Sequence, residues 1–205
     1  MKRFVIAWMI LAALSLLAGG CSNVPQDYAP QKGDMVFQSL PHGAMVDMIE
    51  GSTGSHYSHC GIVVEKNGAW YVLEAIGPVQ EISLDAWIGH GRGNAFAVYR
   101  LKPPYRSAIE PMITAARRYM GRPYDVHYQM DDERIYCSEL LYEGYLQATN
   151  TPLGKMEKVS ELNWKPYEEL MKGIEGGPVP LERKLITPRA ITEAPEVELV
   201  YKRGY

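Results

Sequence analysis

His59, Glu74 and Cys137 carry the three side chains a thiol hydrolase needs: an imidazole to move a proton, a carboxylate to orient it and a sulfur to attack a carbonyl. The base precedes the nucleophile in the chain. Each residue sits in a telling context: Ser58-His59-Cys60-Gly61-Ile62-Val63-Val64, Trp70-Tyr71-Val72-Leu73-Glu74-Ala75 and Ile135-Tyr136-Cys137-Ser138-Glu139-Leu140-Leu141.

The first two contexts are runs of β-branched and aromatic residues separated by Glu65-Lys66-Asn67-Gly68, and Asn-Gly is a strong signal for a two-residue hairpin turn. With Asn67-Gly68 as the loop, Gly61 faces Glu74 and His59 lies diagonally from Glu74 on the same face, within side-chain reach. A loop at Lys66-Asn67 places the pair directly opposite, whereas a three-residue loop separates them. The third context reads as a helix opening at Cys137, with Leu140, Leu141 and Gly144 on the same side. A cysteine at a helix N-terminus has unpaired N–H groups and the positive end of the helix dipole beside it, which favour a thiolate and can hold an oxyanion. Taken singly, each residue has a plainer reading: a small buried hydrophobe, a hydrogen-bonded structural histidine, a surface strand glutamate. The combination points to catalysis.

Four stretches resemble the permuted papain-like amidases of the YaeF/YiiX type, related to NlpC-type peptidoglycan hydrolases. They are Gly33-Asp34-Met35-Val36-Phe37, Tyr57-Ser58-His59-Cys60-Gly61, Glu74-Ala75-Ile76-Gly77-Pro78-Val79 and Tyr136-Cys137-Ser138-Glu139-Leu140. Gly121-Arg122-Pro123-Tyr124-Asp125 is similar to the Gly-x-Pro-Tyr loop that precedes the nucleophile in NlpC-type enzymes. The resemblance implies an α+β, papain-like, circularly permuted fold, an antiparallel sheet packed against helices with the nucleophile at a helix N-terminus. It also implies Cys137 as nucleophile, His59 as base and Glu74 as its partner. Tyr124 and Ser138 are the candidates for oxyanion or substrate donors. Cys60 departs from the family pattern, where a small residue without a thiol is usual; as the strand neighbour of His59 it points to the other face, as a core thiol would.

The start of the chain addresses it to the cell envelope. Lys2 and Arg3 precede an apolar run from Phe4 to Leu17 and the small residues Ala18-Gly19-Gly20 before Cys21, the layout of a signal peptide. The run is short for a membrane span, and a cysteine after small residues resembles a lipoprotein cleavage site, with Cys21 as the lipidated residue. In a Gram-negative cell, Ser22 then favours the outer membrane. Residues 1–20 are read as signal peptide, 21–31 as a tether with roughly 16–19 Å of flexible reach, and 32–205 as one hydrolase domain. The formal charge of −3 becomes −5 once Lys2 and Arg3 are removed, which argues against nucleic acid as a partner. With Cys21 claimed by lipid, Cys60 and Cys137 are expected unpaired.

The remaining elements follow from local pattern. Lys32 to Ser39 reads as a strand, with a Gly/Ser-rich loop through Ser58. Ser83 caps a short helix that Gly89 ends, and Ala95 to Leu101 is a strand. Ser107-Ala108-Ile109-Glu110 reads as a capping box opening a helix to Met120. Thr187-Pro188 starts a short helix, and Val197 to Tyr201 a closing strand. His56-x-x-His59-Cys60 does not make a metal site, since no further cluster completes a tetrahedral set. His90 and His127 read as loop residues, His127 near enough to the cysteine to touch substrate. These features predict a cell-envelope cysteine amidase or peptidase without metal or organic cofactor, with cell-wall peptide as the leading substrate class. A lipid acyl hydrolase or acyltransferase using the same residues is the second reading, and a non-catalytic envelope-binding module the third. Oligomeric state is not legible.

Overall fold

The computed structural model describes residues 22–131 and 133–205; the signal-peptide reading and Cys21 lie outside them. In chain order the regular elements are β1 (Met35–Gln38), α1 (Ala44–Thr53), β2 (His59–Lys66), β3 (Ala69–Ala75), β4 (Val79–Ser83), α2 (Leu84–His90) and β5 (Phe96–Leu101), then α3 (Ile109–Arg117), α4 (Cys137–Thr149), β6 (Glu157–Lys158), α5 (Glu168–Glu175), β7 (Lys184–Leu185), α6 (Pro188–Thr192) and β8 (Val197–Arg203). The main sheet is antiparallel with order β4-β3-β2-β1-β5-β8, and β6 and β7 form a separate ribbon.

Strand alternation divides the core in two. Met35, Phe37, Cys60, Ile62 and Leu73 face α3 and α4, meeting Met112, Ala116, Leu140 and Leu141. Val36, Val63, Val72, Phe96 and Val98 face the other way, against Leu84, Trp87 and Ile88 of α2 and against Tyr28. Gly144 lets α3 and α4 approach backbone to backbone: a Cβ there would stand 3.0 Å from the Met112 carbonyl oxygen. The β2–β3 turn is the expected one. Asn67 and Gly68 both have positive φ, 53° and 75°, and Lys66 pairs with Ala69, so the loop has two residues.

Four expectations need correction. The segment read as a loop after β1 contains α1, which Gly54 ends in the left-handed conformation; its Gly43 start has no side-chain cap, so no start signal is visible in the sequence. The capping box at Ser107 does not form: Pro103–Ala108 is a 3-10 helix and α3 begins without a side-chain cap. The helix expected to stop at Ile88, before Gly89, runs two residues further, through His90, with Gly91 as its cap. The tether is not free. Ser22 Oγ donates to Asp85 at 2.9 Å, Asn94 Nδ2 donates to Asn23 at 3.1 Å, and Tyr28 is buried with its hydroxyl 2.9 Å from Asp34 and its ring stacked on Tyr201 at 5.1 Å. The tail is as expected: Thr187 caps α6 and β8 closes the sheet beside β5. No described helix is long and apolar enough to cross a membrane.

Candidate active site

The hairpin register puts Glu74 opposite Gly61 and on the face that carries His59. His59 Nε2 lies 2.6 Å from Glu74 Oε2, and Gln80 Nε2 donates to Glu74 Oε1 at 3.0 Å. Gln80 reaches it because β4 pairs it directly with Glu74. Trp87 packs its ring 6.0 Å from the imidazole, and His59 and Glu74 are 2% and 0% exposed. Cys137 is the other group that acts on the imidazole.

Cys137 is the first residue of α4. Helix geometry leaves the N–H groups of Cys137 and Ser138 without intrahelical partners, while Glu139 reaches back to accept from Tyr136 N–H at 3.1 Å. Burial lifts the Glu139 carboxyl to about 9, so at neutral pH it adds no negative charge beside the sulfur. The Gly-x-Pro-Tyr loop is clipped in place: Gly121 N–H donates to the Val79 carbonyl and Val79 N–H to the Arg122 carbonyl, both at 2.9 Å, and Ile135 N–H donates to the Pro123 carbonyl at 3.1 Å. This holds the Tyr124 hydroxyl 3.9 Å from Cys137 Sγ as a donor.

The electrostatics favour a thiolate–imidazolium pair. A hydrogen bond from the Cys60 thiol, working against burial and joined by His59 and Tyr124, holds Cys137 well below the ordinary thiol range. Burial disfavours the charged imidazole, but hydrogen bonds and charge from Cys137 and Glu74 outweigh it and raise His59 to about 9. Burial also pushes the Glu74 carboxyl up, and the hydrogen bond and charge of His59 more than reverse this. The arrangement can therefore attack an electrophilic carbonyl, hold the resulting oxyanion and protonate a leaving group.

The structure thus brings together His59, Glu74, Cys137 and Tyr124. The Ser138 hydroxyl does not join them: it is buried and donates to the Ile186 carbonyl at 2.9 Å, so only its N–H is available. Cys60 does point away from the His59 face, but α4 packs on the face it points to, and its thiol meets Cys137. Gln80 and Trp87 were missed. The Gly77-Pro78 turn after Glu74 was the available signal for a further strand.

Beside Cys137 opens an apolar pocket, part of it open to solvent. Its walls come from α1, the 126–128 loop, α5 and the 180–188 segment, and include Met48, Ile49, Val159, Met171, Ile174 and Ile186. His127 also lines it, its Nδ1 3.8 Å from Glu175.

Residues 29–201 match the permuted papain-like amidase enzymes of the YaeF/YiiX, C92 family. The chain belongs to that family. It is a papain-type cysteine hydrolase in its circularly permuted form. The uncharacterized protein YiiX of Escherichia coli strain K12 is 33% identical over 196 residues, covering 94% of this chain and 95% of YiiX. A crystal structure of YiiX from Escherichia coli O157:H7, described as a metalloprotein and DUF1105, is 32% identical and superposes with a TM-score of 0.78. It covers 86% of this chain and 99% of its own. These permuted amidases share the α+β architecture seen here.

Proposed function

We propose that this permuted amidase is a cell-envelope thiol acyl hydrolase whose acyl group is a hydrocarbon chain. The apolar pocket opening at Cys137 carries this reading. A wall of methionine, isoleucine, valine and leucine side chains gains little from a charged or hydroxyl-rich cell-wall peptide, whereas each buried methylene of an acyl chain contributes about 0.8 kcal/mol. The pocket thus favours lipid amides or esters over cell-wall peptide.

In this mechanism the Cys137 thiolate attacks the acyl carbonyl, and the developing oxyanion takes hydrogen bonds from the Cys137 and Ser138 N–H groups and the Tyr124 hydroxyl. The His59 imidazolium, held by Glu74, gives its proton to the departing amine or alcohol. A water or an acceptor hydroxyl then loses a proton to His59 and attacks the thioester, and the thiolate leaves. The crystallised YiiX is called a metalloprotein, but the residues here do not fit a metal. His59 Nε2 is taken by Glu74, and among the described residues no group of three or more His, Cys, Asp or Glu converges on a point. No step is routed through one.

The test is to offer the protein N-acyl amides and phospholipids of graded chain length alongside peptidoglycan fragments, and to weigh intact Cys137 adducts and released products. Long acyl chains should acylate Cys137, with kcat/KM rising by about fourfold per methylene until the pocket is full. Adducts from peptidoglycan fragments alone would return the site to cell-wall peptides. The released products distinguish hydrolysis from transfer.

We further propose that Cys21 is the lipidated N-terminus of the mature protein, on the charged start, apolar run and small residues that precede it. Two acyl chains there anchor stably where one is marginal. In cell fractionation, Cys21→Ser should lose lipid label and leave the membrane; a variant that stays membrane-bound without label indicates an uncleaved helix instead.

A further inference from the structure

The mechanism uses one thiol, yet two lie together at the site. Cys60 is fully buried on β2 with its side chain on the face that receives α4, in the same core cluster as Cys137, whose sulfur it helps to hold as the thiolate. Both are free thiols. Among the side chains that touch Cys137, His59 moves the proton and Tyr124 faces the oxyanion, and neither task needs a second sulfur. Cys60 also has no access of its own. Its route to any reagent passes through Cys137, which lines the pocket.

We propose that Cys60 is a resolving thiol: when a hydroperoxide entering by the pocket oxidises Cys137, Cys60 captures the product as a reversible Cys60–Cys137 disulfide. This rests on the reading of Cys137 as a reactive thiolate. In the first step the Cys137 thiolate attacks one oxygen of hydrogen peroxide, the O–O bond breaks, and the His59 imidazolium protonates the departing hydroxide. Cys137 becomes a sulfenic acid, water is released and His59 is neutral. In the second step the Cys60 sulfur displaces the sulfenic hydroxyl, the Cys60 proton leaves with it as water, and the S–S bond forms. A dithiol returns both cysteines and is itself oxidised to a disulfide.

The asymmetry between the sulfurs suits this order. Cys137 is held as the thiolate, which reacts with peroxide, while burial keeps Cys60 protonated until a sulfenic acid stands in contact with it. A disulfide needs the sulfurs at roughly 2.05 Å, and both cysteines already lie in the one buried cluster where α4 packs on β2. Without such a partner, further oxidation to the sulfinic acid is irreversible.

The experiment uses the full-length chain in detergent, with iodoacetamide labelling and peptide mapping as the readout, so that no substrate is needed. Untreated protein should label at Cys137. After hydrogen peroxide, labelling at Cys137 should be lost, a Cys60–Cys137 linked peptide pair should appear about 2 Da lighter than the two thiol peptides together, and dithiothreitol should restore labelling fully. In Cys60→Ala, peroxide should convert Cys137 to sulfinic acid, and dithiothreitol should restore nothing. The linked pair is sought in the unaltered chain, so a poorly folded variant leaves the test intact. Sulfinic acid at Cys137 in the unaltered chain, with Cys60 still free, overturns the proposal, as does a Cys137 that labels but resists peroxide. A Cys137 that does not label with iodoacetamide at all overturns instead the reactive-thiolate reading beneath it.

Discussion

Replacing Cys137 with alanine should lower kcat/KM by on the order of 10⁴ or more, because removal of a nucleophile leaves only binding and oxyanion stabilisation to act on bound substrate. The variant should keep its fold. The alanine retains the Cβ at the first position of α4, and the Tyr136–Glu139 hydrogen bond that secures this helix end does not involve the sulfur. Initial rates on the best acyl substrate, with circular dichroism to confirm folding, provide the measurement. If Cys60→Ala abolishes turnover while Cys137→Ala retains it, the nucleophile is the other thiol.

His59→Ala should cost roughly 10²–10⁴ in kcat/KM, the usual contribution of a positioned acid–base group. Glu74→Gln should cost less, since Glu74 acts only through His59. Titration gives a second readout. With His59 raised to about 9 and Cys137 held well below the ordinary thiol range, the thiolate–imidazolium pair spans the interval between the two. Below this range the thiolate gains a proton; above it His59 loses the proton that the leaving group needs. Native Cys137 should therefore react with iodoacetamide at pH 6, where an ordinary thiol of pKa near 8.5 is only about 0.3% thiolate. His59→Ala should move that reactivity toward higher pH. Unchanged reactivity at pH 6 in His59→Ala would show that the imidazole does not hold the thiolate.

Much of the site was legible because its geometry is local. Asn67-Gly68 fixes the register of one hairpin, and the register fixes which face Glu74 shares with His59. Cys137 precedes an uninterrupted helical pattern, and Thr187-Pro188 marks a helix start by its own chemistry. What escaped depends on packing between distant segments. That Cys60 touches Cys137 follows from which side of the sheet receives α4, and alternation along β2 says nothing about that. The pocket is assembled from α1, the loop after Tyr124, α5 and the 180–188 segment. Of these, α1 ends in Gly51-Ser52-Thr53 and lacks a side-chain cap, so it resembles a loop until its buried Met48 is seen. At Ser107 the local signal was present and tertiary context overrode it, with Pro103 and Pro104 opening a 3-10 turn instead.

The docked N-terminal segment changes what an anchor at Cys21 would mean. Only one Cα–Cα step, about 3.8 Å, separates that residue from Ser22, which is already fastened to Asp85. A lipid on Cys21 would then act as a short pivot, holding the α2 end of the domain against the headgroups and leaving the body free to tilt and spin but not to drift away. Encounters with substrate would take place in two dimensions. Turnover would follow the mole fraction of substrate in the bilayer, and diluting the membrane with inert lipid would slow the enzyme even with the total amount of substrate unchanged.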